Sequence, residues 1–250
     1  MLCGDKYLFA DKCVNQKFNM KEIIVKKVNI DDIINEIDDL NQKCLTKRSE
    51  SIYQDNDARS LIFILLSGYV QNLLLSLTLS KELQEIEFYE KGGYKTENIN
   101  AAYMDKVVSN YINGASNSFL IFAFVQIENY LRLIAEKYDK IKHTKISITV
   151  KNLGKKFNLS ADCLNLWKIL SNIRNSMHNG GISSYKANIP YKGTQYKFVK
   201  NSPINYSSIS DILFFINELL DNLISELNEK SSAEDYIEHN YANLTVERED

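Results

Sequence analysis

The sequence predicts an all-α protein, a bundle of long helices with one small β-hairpin inserted after the helix that carries its most distinctive motif. Three observations lead there. Only two prolines and nine glycines punctuate 250 residues, which favours long uninterrupted elements over a sandwich of short strands. Apolar residues recur at three- and four-residue steps along several segments. Two-residue alternation with turn residues marks one stretch, Tyr185 to Lys200.

The elements follow in order. Residues 1 to about 28 are weakly patterned, with Glu22 to Val28 a short strand or a linker. Asn29-Ile30-Asp31-Asp32 starts a helix with acids in its first turn, where the dipole favours them. Ile30, Ile33, Ile34, Ile37 and Leu40 make its stripe, and it is expected to reach about Lys47. Leu61 to Leu79 is free of charge and as long as a membrane span. Gln71 and Asn72 near its centre would be costly in lipid, so a buried core helix is expected. Lys81 to Glu90 continues that helix or forms a short one, stopped at Gly92-Gly93. A helix from Asn98 to Asn113, with Tyr103, Val107, Val108 and Tyr111 as its buried edge, is expected to end at Gly114.

Residues 116 to 140 form a second strongly apolar helix, through Leu120, Phe124, Ile127, Leu131 and Ile134. Glu128 lies on or beside that apolar face and needs a partner, either Arg132 one turn on or Arg174 from another helix. Asp139 to Phe157 is expected to be a basic, mostly non-helical connector. Ser160 then caps a helix burying Leu164, Trp167, Leu170, Ile173 and Met177, which stops at Asn179-Gly180-Gly181. The hairpin turns at Tyr191-Lys192-Gly193-Thr194. A last long helix, capped by Ser207 or Ser208, carries a stripe from Ile209 to Leu227, and the tail after Lys230 is expected to be loosely held.

Net charge is close to neutral, but it is unevenly spread. Between residues 140 and 200 twelve Lys and Arg face the single acid Asp162, which suits an anionic partner or a solvated basic face. The four cysteines form no metal-like spacing with the three histidines, so neither a metal nor another cofactor is expected. Charges at Asp5, Lys6, Asp11 and Lys12 break any secretory pattern; reduced thiols and a cytoplasmic location are expected.

The chemistry concentrates in Ser171 to Gly181. Arg174 and His178 stand four residues apart, so a helix brings both side chains to one face, one turn apart. A guanidinium that holds phosphate beside an imidazole that moves protons near neutral pH suits work on a phosphodiester. Arg-Asn-x-x-His-Asn at a helix end resembles the signature of the HEPN superfamily, and Phe124 to Leu133 is similar to the glutamate-bearing helix that precedes that signature. The likeness covers about residues 115 to 229, with three residues between Arg174 and His178 where the family most often has four to six. It implies a HEPN-like domain over 115–230; residues 1–114, of unknown role, precede it, and composition marks an acidic flexible tail over 231–250.

The resemblance implies a metal-independent endoribonuclease, a toxin or antiviral defence component that leaves 2′,3′-cyclic phosphate and 5′-hydroxyl ends. Arg174 and His178 would be catalytic, with Asn175, Ser176, Asn179 and Glu128 supporting. Lys151, Lys155, Lys156 and Lys168 would contact RNA. It further implies a homodimer through the motif helix and, as partner, an antitoxin or defence-complex protein, with no membrane. The alternative is a non-catalytic interaction module in such a complex.

Overall fold

A computed structural model describes residues 30–140 and 145–239; the expected strand or linker at Glu22 to Val28 lies outside them. Helix α1, Ile30–Ser49, has Asp31 and Asp32 in its first turn and Lys47 and Arg48 in its last, matching the dipole at both ends. It buries Ile33, Ile37, Leu40 and Cys44 against α2, Ala58–Glu82. The two run antiparallel. Lys81 at the end of α2 bonds Asp31 at 2.5 Å, and Arg48 at the end of α1 bonds Ser60 at 2.5 Å.

Helix α2 buries only one face, through Ile62, Phe63, Leu66, Val70, Leu73 and Leu77. The buried core helix expected is thus in the core on one side only. Ile64, Leu75 and Leu79 are exposed on the other side, with Gln71 and Asn72 beside them. By length and hydropathy alone, both α2 and α4 are long and apolar enough to cross a membrane.

A short helix α3, Ile86–Lys91, is stopped at Gly92 and Gly93, the latter at φ +73°. The helix expected to end at Gly114 does not end there. Helix α4, Ala101–Asp139, runs unbroken for 39 residues, about 58 Å. Glycine in a helix interior costs only about 1 kcal/mol relative to Ala, and Ser116, Phe119 and Leu120 just beyond it are buried, so packing carries the helix through. The division expected between residues 114 and 115 therefore falls inside one helix. The buried edge expected at Tyr103 and Tyr111 is also corrected: both are exposed, and Val108 is the buried residue there.

The connector expected to be mostly non-helical contains α5, Ile146–Lys156. Its lysines obscure an apolar stripe in which Thr149, Val150, Leu153 and Gly154 are buried. Helix α6, Ala161–His178, lays Trp167 on Phe124 of α4 with ring centroids 4.7 Å apart. Strands β1, Ala187–Tyr191, and β2, Thr194–Phe198, pair antiparallel with Tyr191 opposite Thr194. Lys192 and Gly193 between them both have positive φ, the two-residue turn that matches strand twist.

Helix α7, Ile209–Leu219, begins with a capping box between Ser208 and Asp211 and passes through a π-helical turn, Leu220–Ile224, into α8, Ser225–Lys230. The stripe from Ile209 to Leu227 is buried at every expected position. α1, α2, α4, α5, α6, the hairpin and α7 contribute to one continuous apolar core. Among the described residues the fold is all-α with one two-stranded hairpin.

Of the tail expected to be loose over 231–250, residues 240–250 lie outside those described, and the rest is held in place. Residues 231–239 pack back on the start of α2, where Ile237 is buried and the Ala58 N–H donates to its carbonyl at 2.8 Å. Arg59 holds this segment, donating to the Ser231 hydroxyl at 3.1 Å, the Ser232 carbonyl at 2.7 Å and the Asp235 carbonyl.

Candidate functional site

The site is built on the last turns of α6. Ser160 starts that helix by accepting from the Cys163 N–H at 3.2 Å. Leu166, Trp167, Ile169, Leu170 and Ile173 anchor it in the core. At its end the Gly180 N–H bonds the Met177 carbonyl at 3.1 Å and the Gly181 N–H bonds the Ser176 carbonyl at 2.9 Å. Gly180 and Gly181 have φ of +66° and +82°, conformations open to glycine, so the chain turns sharply away after Asn179. The following loop is stitched to the segment after the hairpin. Ser183 and Ser202 pair at 2.9 Å, Asn201 and Ser183 at 2.8 Å, and the Ile204 N–H reaches the Gly181 carbonyl at 3.0 Å. The end of α6 thus stands on a tied-down platform.

Arg174 is half-buried, its guanidinium carbon 5.1 Å from the centre of the Phe124 ring. It donates to the Asn175 side-chain oxygen at 3.0 Å, while its Nε is buried with no hydrogen-bond partner. His178, one turn on, is exposed. The aromatic pair Phe124–Trp167 therefore supports the arginine from below and leaves the imidazole facing solvent.

The remaining expected site residues divide. Asn175 sits beside Arg174 and holds it. Asn179 donates to the Ser184 hydroxyl and so ties the helix end to the next loop. Ser176 is buried and its hydroxyl donates to the Asn172 carbonyl at 2.8 Å, which turns it into its own helix and away from any bound phosphate. Glu128 pairs with Arg132 at 2.6 Å; of the two partners open to it, the one on its own helix is chosen.

The lysines expected at RNA are not gathered at the pair. A side chain at Gly154 would meet Leu164 at 2.9 Å, so α5, with exposed Lys151, Lys155 and Lys156, lies near the start of α6. Arg174 is ten residues further along, about 15 Å at 1.5 Å per residue. Lys168 is about 120° round the helix from Arg174 and donates to Asn165 at 3.1 Å. Other cations are brought toward the end of α6 by the pairing of the loops that carry them. Lys186 and Lys200, both exposed, lie in the two loops stitched to the end of α6, with Tyr185 beside Lys186 exposed as well. The basic bias of residues 140–200 held that signal, but only the pairing of the loops shows which lysines share the end of α6.

The clefts between α2 and α4, between α1 and α7, beside Tyr53 and beside Phe88 are lined by other residues; neither Arg174 nor His178 borders them.

Among the described residues, the cysteines and the remaining histidine are engaged in structure. Burial pushes the Cys44 thiol up to about 12. Burial and a hydrogen bond to Glu226 push Cys163 up to about 11, so both thiols are protonated at neutral pH. His239 is buried, which lowers its pKa and favours the neutral ring. Among the described residues no cluster of three His, Cys, Asp or Glu is arranged to hold a metal.

No protein-family model, curated protein or solved structure matches the chain.

Proposed function

We propose that the protein is an RNA endonuclease of HEPN type acting through Arg174 and His178 without a metal ion, in a toxin or antiviral defence system. One observation carries this reading: a rigidly supported arginine and an exposed histidine share one face at a helix end. Arg174, steadied by Asn175, holds the non-bridging oxygens of the scissile phosphate and stabilises the charge that builds on them. His178 takes the proton of the ribose 2′-hydroxyl, whose oxygen attacks phosphorus as the bond to the 5′ oxygen breaks, and the leaving 5′ oxygen takes up a proton from solvent water. The products are a 2′,3′-cyclic phosphate and a 5′-hydroxyl. Tyr185 offers a stacking surface for an unpaired base, and Lys186 and Lys200 contact flanking phosphates.

The test is cleavage of single-stranded RNA in excess chelator by the wild-type chain, His178→Ala and Arg174→Ala. Cleavage to the stated ends by wild type, with loss in both variants, is expected. Equal cleavage by all three rejects the site.

A second reading, a non-catalytic interaction module in such a complex, is favoured by the position of the pair outside every cleft described. Its signature is RNA or protein binding by the wild type with no cleavage.

A further inference from the structure

We propose that the face formed by α2 and α4 is a self-association surface, on which a second copy of this chain docks about a two-fold axis. The two helices form an antiparallel pair: Tyr69 of α2 stacks on Phe122 of α4 at 5.3 Å, and Tyr89 after α2 meets Tyr103 near the start of α4 at 6.3 Å. Each contributes 21 consecutive residues without a charge, Ser60 to Ser80 and Val107 to Ile127. Along this face Leu75 is 59% exposed and Phe122 50%, with Ile64, Leu79 and Val125 also exposed. Between the helices opens a cleft of about 700 Å³ lined by Tyr69, Leu73, Ala115 and Phe119 with Asn72 and Ser76 at its side.

Three arguments select a second copy as the occupant. A two-fold contact must be self-complementary, and this surface carries both the projections and the cleft to receive them. A face without charge meets its own image with no like-charge repulsion. Its size also suits. Two helices, each about 10 Å across and uncharged over about 30 Å, present about 600 Å² in projection, of the same order as the roughly 800 Å² that each partner contributes to a stable interface.

A bilayer fits less well. Helix α1, with eight Asp, Glu, Lys and Arg residues, lies along α2 and would have to enter the lipid with it. The cations that flank the uncharged run of α2 are already paired, Arg59 with Asp57 and Lys81 with Asp31. On α4 this face lies on a different side from Phe124, on which Arg174 rests. A dimer formed here leaves the end of α6 open, in place of the motif-helix contact that the family resemblance implies.

Analytical ultracentrifugation of the full-length chain tests this, with Leu75→Glu and Phe122→Glu beside wild type. The wild type is expected at twice the 28.8 kDa chain mass. Each substitution is expected to raise the dimer dissociation constant at least about tenfold, as for a central interface residue. Unchanged far-ultraviolet circular dichroism and melting show that the variants fold. A wild-type monomer at about 100 µM overturns the proposal, as does a dimer that both substitutions leave intact. A dimer broken by His178→Glu but not by Phe122→Glu overturns it by moving the contact to α6. Flotation of the wild type with neutral phosphatidylcholine vesicles, lost in Leu75→Glu, overturns it in favour of lipid. None of these outcomes depends on RNA cleavage.

Discussion

Arg59 at the start of α2 and Arg174 near the end of α6 are both tucked against aromatic rings, yet their donors are used very differently. Arg59 is fully buried and directs five N–H bonds inward: two to Asp57 at 2.9 and 2.8 Å, and three to Ser231, Ser232 and Asp235. Its guanidinium lies 3.7 Å from the centre of the Tyr53 ring. Arg174 makes one hydrogen bond among the described residues, to its neighbour Asn175, and its Nε has none. A guanidinium whose every donor is satisfied holds structure and has nothing left for a ligand. One that is held in place but under-used can accept an anion without losing native bonds.

The sharpest way to break this comparison is activity. His178→Ala is expected to lower RNA cleavage by about 10²- to 10⁴-fold, the range for a general acid or base, and Arg174→Ala by about 10²- to 10³-fold. Arg59→Ala, compared at a temperature where it remains folded, is expected to keep cleavage within about threefold, well below the loss from any catalytic group. The rates of the three variants on one RNA substrate make the measurement.

Stability should run the other way. Asp57→Ala leaves Arg59 buried without its counter-ion and is expected to cost about 3–5 kcal/mol. Arg174→Ala gives up a ring contact and one hydrogen bond, about 1 kcal/mol. Urea denaturation of both variants measures the contrast.

Acid should loosen the Arg59 region in two stages. Burial lowers the pKa of His239 from its ordinary 6.5, so the unfolded segment takes up the proton first, and stability falls as pH drops below about 6.5. Burial pushes the Asp57 carboxyl up, but bonds from Arg59 and the Ile237 N–H outweigh it and leave the group below its ordinary 3.8. That contribution is present above 3.8 and is lost as pH falls through the lower folded value. Hydrogen exchange of residues 231–237 is expected to quicken in both windows, with the first stage absent in His239→Gln.

The smallest effect belongs to the end of α6. Asn179→Ala removes one bond to Ser184 at an exposed position and should cost about 0.5–1.5 kcal/mol, seen as a small drop in melting temperature.

Legibility in the sequence followed the range of the interactions. The stripes of α1 and α7, the Ser160 and Ser208 caps and the Lys192-Gly193 turn are set by neighbours within a few residues and were readable. The stripe of α6 was readable only in part: Trp167, Leu170 and Ile173 are buried, but Leu164 and Met177 are half-buried and Leu166 and Ile169 take the deeper places. Gly114 read as a stop because propensity is local, whereas the burial that carries α4 through it comes from other helices. α5 was obscured by its lysines, although Val150 and Leu153 keep helical spacing. The segment after Lys230 read as loose from its polar composition, and the groups that hold it, Asp57 and Arg59, lie more than 170 residues away. Asp57-x-Arg59 at a helix start was the available signal, and on its own it reads as an ordinary cap.

The sequence by itself determined that Arg174 and His178 would share a helix face and that the helix would stop just beyond them. Both follow from 1.5 Å and 100° per residue and from two glycines free to take positive φ. The tertiary structure decided the company those side chains keep. It placed Phe124 beneath Arg174, paired Glu128 with Arg132, set the α5 lysines near the start of α6 and brought the loops of Lys186 and Lys200 to its end. Periodicity is a property of one helix, whereas the partner of a charge is chosen by which helices pack together, and burial across the whole core sets that choice.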